Sequence, residues 1–149
     1  MFSFPPADAG LLQRVRALIS RVDTAHLITA GTEGYPRARG MEDHNVGPDF
    51  VFYFFTGASS RKIAEIRANP RVSIAYYDPQ SHDYVCVFGR AEVILDDATR
   101  RAFWEPAWTR YWPAGPTDPE FAIVRIIGEA FEYFDMQEEK LKCASIPPA

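Results

Sequence analysis

Four cations on two short stretches are the residues best placed to do chemistry: Arg37 and Arg39 in YPRARGME, and Arg61 and Lys62 in FTGASSRKIAEIRANP. Arg61 and Lys62 open a helical pattern. A helix start favours negative charge by roughly 0.3–1 kcal/mol per group and opposes cations. A local rule broken without visible gain marks a functional site. With the hydroxyls of Ser59 and Ser60 and the free amides of a first turn, the two cations describe an anion pocket, most naturally for a phosphate. Strand alternation puts Arg37 and Arg39 on one face with Tyr35 and Met41, and Pro36, Ala38, Gly40 and Glu42 on the other. Two arginines so placed repel unless something anionic lies between them. The competing reading is a solvated pair on a sheet edge; a second cationic pair so soon after favours the anion. Gly40, without a side chain, lets a flat ligand approach the backbone.

These side chains need a strand, a turn and a helix to position them. Residues 50–55 (FVFYFF) form an unbroken apolar run, the pattern of a barrel strand filled inside and covered outside by a helix or a second subunit. Residues 56–60 turn the chain, Ile63 and Ile66 mark one helix face, and Asn69-Pro70 stops it. Upstream, a loose arm at 1–6 precedes an amphipathic helix, capped by Asp8 and carrying Leu11, Leu12, Val15, Leu18, Ile19 and Val22. Residues 25–30 and 35–42 read as strands joined at Gly31-Thr32-Glu33-Gly34. Residues 43–49 read as a loop, in which His44 is either solvated or a ligand or base. Further strands fall at 71–77 and 84–95, the second with a bulge or bend at Gly89. Asp96-Asp97 caps a helix running to about 111, with Trp104 and Trp108 packed on it and Trp112 opening a rigid proline-rich loop. Closing strands at 121–127 and 130–136 turn at Gly128-Glu129, and 137–149 is a tail. Cys86 reads as core filler and Cys143 as part of the tail. Strands joined by short turns predict a mainly β, α+β chain: an antiparallel barrel with helices outside, not a doubly wound sheet.

The totals narrow the chemistry. A length of 149 residues suits one domain, and 47% apolar with 24% charged residues describes an ordinary globule. A net charge of -4 and a pI of about 5.4 argue against nucleic acid as partner and make a local cationic cluster more informative. Two cysteines make neither a metal site nor a disulfide framework. No apolar run reaches the roughly 18 residues of a membrane span. The start MFSFPPADAG lacks a basic region followed by an apolar one, so a cytoplasmic setting without a signal peptide is expected. Dinucleotide-binding, P-loop and nucleophile-elbow motifs are absent from the sequence. What remains is the phosphate pocket and a 14% share of aromatic residues, which together suit a phosphorylated flat ring.

Three stretches in order carry a resemblance: HLITAGTEGYPRARGM, FYFFTGASSRKIAEIRANPRVSIAYYDP, and YVCVFGRAEV followed by FWEPAWTRYWPAGPTDPEFAIVRI. Over about residues 24–135 the chain resembles the FMN-binding split-barrel proteins related to pyridoxamine 5'-phosphate oxidase, and within them the general stress protein 26 branch. The resemblance implies a six-stranded split barrel, a homodimer with FMN at the subunit interface, and FMN-dependent oxidation or reduction of a small molecule. Arg61 and Lys62 would hold the phosphate, with Ser60 and Thr56 beside them and Phe55 at the end of the preceding strand. Arg37, Ala38, Arg39, Gly40 and Met41 would line the ring and ribityl chain, largely through backbone. Trp112 would lie near the isoalloxazine. Tyr84 stands where the oxidase branch often has glutamine, and Gly40 where the stress-protein branch often has proline. The oxidase branch's Arg-Leu-x-Pro ending has no counterpart in SIPPA, which sets the expectation against pyridoxamine phosphate oxidation itself. Two other readings share the barrel: a non-catalytic flavin-binding stress or storage protein, and a haem or deazaflavin binder.

Overall fold

Alternation of apolar and polar side chains builds a sheet with a buried inner face. In the computed structural model, which describes residues 2–42 and 44–148, the described residues form one antiparallel sheet of eight strands. These are β1 (Ala25–Ala30), β2 (Pro36–Met41), β3 (His44–Val46), β4 (Val51–Gly57), β5 (Arg71–Tyr77), β6 (Tyr84–Ile94), β7 (Phe121–Asp135) and β8 (Lys140–Ser145). They run β2-β1-β5-β6-β7-β4-β3, with β8 added to β7, and the sheet curls into a split barrel. Inside it, Phe52 and Phe54 of β4 meet Leu27, Ile74, Val85, Val87, Val124 and Phe131, all fully buried. Helix α1 (Ala9–Arg21) adds Val15, Leu18 and Ile19, and helix α2 (Arg61–Ala68) adds Ile63 and Ile66. Each such side chain contributes about 1.5–3 kcal/mol on burial. Tyr53 and Phe55, on the outer face of β4, are covered by Phe103 of helix α3 (Asp97–Phe103) and by Trp108, with ring centroids 4.6–5.6 Å apart. The FVFYFF run is thus fully buried on its inner side and half-buried under aromatic cover on its outer side, as its composition predicts.

Several boundaries differ from the sequence reading, each for a physical reason. Residues 121–127 and 130–136 are not two strands around a turn. They are one strand, β7, paired with β6 along both halves. Gly89 pairs with Gly128 and Phe88 with Ala130, so Glu129 is one extra residue, a β-bulge. The bulge switches which side chains face inward, from Val124 and Ile126 before it to Phe131 and Tyr133 after it. A Cβ on Gly89 would meet Ile126 Cγ2 and the Ile127 carbonyl oxygen at 2.7 Å each, so this crossing needs glycine. The tail contains β8, which pairs with the second half of β7, and the loop at 43–49 contains β3; with these the strands number eight rather than six. Asp43 of that loop lies outside the described residues, as does the side chain of His44. The helix expected to reach 111 ends at Phe103, and a 3-10 turn, Pro106–Arg110, follows, because Pro106 supplies no amide to continue it. The arm is tied down over its described residues 2–6: the Ser145 amide donates to the Pro5 carbonyl at 2.8 Å, and Phe2 stacks on Phe88 at 4.9 Å. Cys86 is half-buried on the outward face of β6, because Val85 and Val87 take the inward positions. No helix among the described residues is long and apolar enough to cross a membrane.

The β5–β6 turn is held by charge. Arg21 of α1 donates from Nε to Asp78 Oδ2 at 2.7 Å and from Nη2 to Asp83 Oδ2 at 3.1 Å. The Arg21 hydrogen bond, aided by the Gln80 amide, holds the Asp78 carboxyl down at about 2. An unfolded aspartate titrates near about 3.9, so its contribution is present above that pH and is lost as pH falls toward 2. Asp78→Asn is therefore expected to lower Tm at pH 7, and to flatten the loss of Tm between pH 4 and 2, followed by circular dichroism.

Candidate functional site

The turn after β4 has a helix start without its usual acid. Ser60 is the N-cap of α2, with extended backbone (φ −68°, ψ 153°), and its side chain makes no cap bond. The Ser60 Oγ is buried and has no hydrogen-bond partner among the described residues. A buried polar atom left in that state costs about 1–3 kcal/mol. Arg61, exposed, and Lys62, half-buried, occupy the first turn. Lys62 Nζ donates to Thr56 Oγ1 at 2.8 Å. Burial first, and the Arg39 guanidinium second, push the Lys62 ammonium below the usual lysine range. The pocket thus resists its own positive charge, and an arriving anion would favour the protonated lysine.

The second cationic pair is already neutralised from within. On β2, Arg37 and Arg39 share a face as alternation predicts. The negative charge between them is Glu65 of α2, 1% exposed: Arg37 Nε lies 3.2 Å from Oε2, and Arg39 Nη2 lies 3.0 Å from Oε1. Arg37 also pairs with Glu33. Thr29 Oγ1 of β1 donates to Glu65 Oε1 at 3.0 Å and accepts from Arg39 Nη1 at 2.7 Å. The sequence reading supplied an outside anion here; the protein supplies its own. Glu65 was missed because it sits beside the apolar stripe of Ile63 and Ile66 and reads as solvated. The signal was present, since two arginines on one strand face call for a carboxylate. Of these four cations, Arg61 and Lys62 are the two that form no ion pair among the described residues.

Two cavities adjoin at Phe55. The first, about 340 Å³, is lined by Thr24, Gly40, Met41, Glu42 and Phe55, and so bridges the seam between edge strand β2 and β4. The second, about 250 Å³, is lined by Phe55, Trp108, Tyr111 and Trp112. Trp104 and Trp108 pack as expected, in a cluster with Phe121. Trp112, half-buried, packs on Phe121 at 4.8 Å. Glu120, also missed, joins this aromatic layer to the turn. Its carbonyl accepts from Trp112 Nε1 at 3.0 Å and from the Ala58 amide at 2.8 Å. Its carboxylate accepts from Ser59 N at 3.2 Å and Ser59 Oγ at 2.7 Å. Gly40, Met41, Phe55 and Trp112 are therefore gathered around the two cavities, and Thr56, Ser60 and Lys62 at the turn. Tyr84 is not gathered within one chain: it pairs with Phe134 near one end of β7, whereas Trp112 packs on Phe121 at the other.

A curled antiparallel sheet with flanking helices defines a split-barrel protein of the α+β class. The chain belongs to the pyridoxamine 5'-phosphate oxidase like family, whose model matches residues 11–146. A similar curated protein is the pyridoxine/pyridoxamine 5'-phosphate oxidase of Cupriavidus pinatubonensis, 33% identical over 90 residues, which are 57% of this chain and 40% of that protein. The match thus spans about two fifths of the length of such relatives. Among solved structures, a protein related to general stress protein 26 from Clostridium acetobutylicum superposes with a TM-score of 0.79 at 21% identity, over 94% of this chain and 97% of that one. General stress protein 26 from Bacillus anthracis superposes with a TM-score of 0.70 at 25% identity, over 89% of this chain and 98% of that one.

Removing the buried carboxylate tests how the cluster is held. Glu65→Gln leaves two guanidinium groups without their shared counter-charge, and breaking a buried pair costs about 3–5 kcal/mol. Arg37 and Arg39 keep 28% and 22% exposure, so a loss of about 3 kcal/mol is expected in urea unfolding at pH 7.

Proposed function

We propose that this chain binds FMN and acts as an FMN-dependent oxidoreductase on a small molecule, as a homodimer. The observation that carries the reading is the start of α2, where a buried serine hydroxyl without a partner and a desolvated lysine stand beside an exposed arginine. Both defects are relieved by one group, a phosphate, which accepts from the hydroxyl and offsets the charge. Similar curated proteins are named as oxidases, which supports the oxidoreductase part of the reading.

In this reading Ser60, Arg61, Lys62 and Thr56 hold the phosphate. Arg37 and Arg39, engaged by Glu33 and Glu65, act on the cofactor through the backbone of β2. β2 is an edge strand, and Gly40 and Met41 line the cavity beside Phe55 where the flat ring would lie, with Ala38 preceding them on the same strand. Trp112 closes the far side of Phe55. FMN, when bound, supplies the redox chemistry, and the protein positions it and keeps water away.

The homodimer reading is supported by an uncovered apolar row. Tyr77, Tyr84, Phe134 and Leu141 are register neighbours across β5, β6, β7 and β8, and Tyr77, Tyr84 and Leu141 are 40–49% exposed. A second copy seated there would bring a Tyr84 to a site that one chain leaves without it.

Two measurements test this reading. Arg61→Ala with Lys62→Ala is expected to weaken FMN about a hundredfold or more, since charge-assisted contacts contribute about 1.5–3 kcal/mol each. Flavin fluorescence reads this, and unchanged affinity would move the phosphate site elsewhere. NADH or NADPH is expected to bleach the bound flavin near about 450 nm. Tight binding with no bleaching by either donor would make the protein a flavin holder without turnover.

A further inference from the structure

The turn assigned above to the phosphate already holds an anion of the chain's own. Glu120 Oε2 accepts from the Ser59 amide at 3.2 Å and from Ser59 Oγ at 2.7 Å. The same oxygen stands 3.6 Å from where a Cβ on Gly57 would be, so the carboxylate lies across the start of the turn. A backbone N–H and a hydroxyl converging on one anionic oxygen is how a turn before a helix grips a phosphate. The stand-in is incomplete. Glu120 forms no ion pair among the described residues, although Arg61 and Lys62 follow Ser59 by two and three positions. The Ser60 hydroxyl, too, stays without a partner among those residues.

Glu120 is held unevenly. Its main chain is fixed: the carbonyl accepts from the Ala58 amide at 2.8 Å and from Trp112 Nε1 at 3.0 Å, and Phe121 beside it is fully buried. Its side chain is exposed, as is Ser59. The carboxylate can therefore leave the turn for water while the backbone stays in place, and an arriving phosphate can take over both Ser59 donors.

We infer that Glu120 is an autoinhibitory contact on the phosphate turn: its carboxylate occupies Ser59 in the empty protein, gives up that place to an incoming phosphate, and lowers the affinity for it. The inference rests on the phosphate reading of this turn. The contact opposes the phosphate alone, so it weakens every phosphate-bearing ligand by one common factor and leaves a ring without phosphate untouched. It satisfies the Ser59 donors while the site is empty, and it keeps a bound cofactor exchangeable.

Glu120→Gln tests this, because the amide keeps the side-chain length, an oxygen to accept from Ser59 and both main-chain contacts, and removes only the charge. Thermal melting of the full chain is titrated with inorganic phosphate against sodium chloride of matched ionic strength, with FMN, and with riboflavin; the rise in Tm gives each affinity. Removing one negative charge within about 6 Å of a singly or doubly charged phosphate, in near-aqueous surroundings, tightens binding about three- to tenfold. Inorganic phosphate and FMN are each expected to gain by that factor in the variant, and riboflavin is expected to stay unchanged. A carboxylate that only braced the turn would give no change or a loss. Adding Lys62→Ala to Glu120→Gln should remove the rise in Tm with inorganic phosphate. Phosphate binding that is absent, unchanged or weaker in Glu120→Gln overturns the inference. So does an equal gain for riboflavin, or a phosphate gain that survives Lys62→Ala. The two readings fail separately: a gain for inorganic phosphate in a chain that binds no FMN keeps the contact and removes the flavin, and FMN binding indifferent to Glu120→Gln keeps the flavin and removes the contact.

Discussion

A carboxylate almost wholly removed from water holds the site together. Glu65 is 1% exposed, yet it lies between two guanidinium groups and a threonine hydroxyl drawn from β1 and β2. Desolvating such a charge is costly, and the cost is offset only when its partners are placed well. Because they come from the opening hairpin, the cluster fixes α2 against that hairpin. The first turn of α2 carries Arg61 and Lys62, so the same contact sets where the unneutralised cations stand relative to Gly40 and Met41. Charge balance thus separates the two pairs: Arg37 and Arg39 are held by carboxylates, and Arg61 and Lys62 form no ion pair among the described residues.

The other fixed reference is β7. It pairs with β6 along both halves, with β4 before the bulge and with β8 after it. The extra residue at Glu129 reverses its inward and outward sides, so one strand serves two differently facing stretches of core. Before the bulge, its outward residues Phe121 and Ile123 support the tryptophan layer. After it, Phe134 joins the uncovered row with Tyr84. Glu120, at the head of β7, then binds both Trp112 and the Ser59 turn. The aromatic layer and the cationic turn are therefore held in one frame, although 52 residues separate Ser60 from Trp112 in the chain.

Much of this was legible along the chain because it depends on near neighbours. The helix over 61–68, its stop at Asn69-Pro70, the strands at 25–30 and 71–77, and the irregularity of β6 at Gly89 follow from side-chain period and local breakers, although the extra residue of the bulge lies across from it on β7. The misfit of Arg61-Lys62 was visible too, since a helix dipole acts within one turn. The helix end at Phe103 was also written there, in Pro106, and was passed over. Gly128-Glu129 is a different case. A glycine followed by a polar residue serves a turn and a bulge equally, and only the continuous β6 alongside decides between them.

The sequence by itself determined which segments are strands and helices, and where positive charge stands without a local reason, because period, caps and breakers act over a few residues. The tertiary structure alone decided which of those charges are already answered. Glu65 lies 26 residues from Arg39, and Glu120 lies 61 from Ser59, so local sequence can show that a partner is needed but not which residue supplies it. An ion pair depends on distance in space and on the water excluded around it, and both exist only once the barrel has closed.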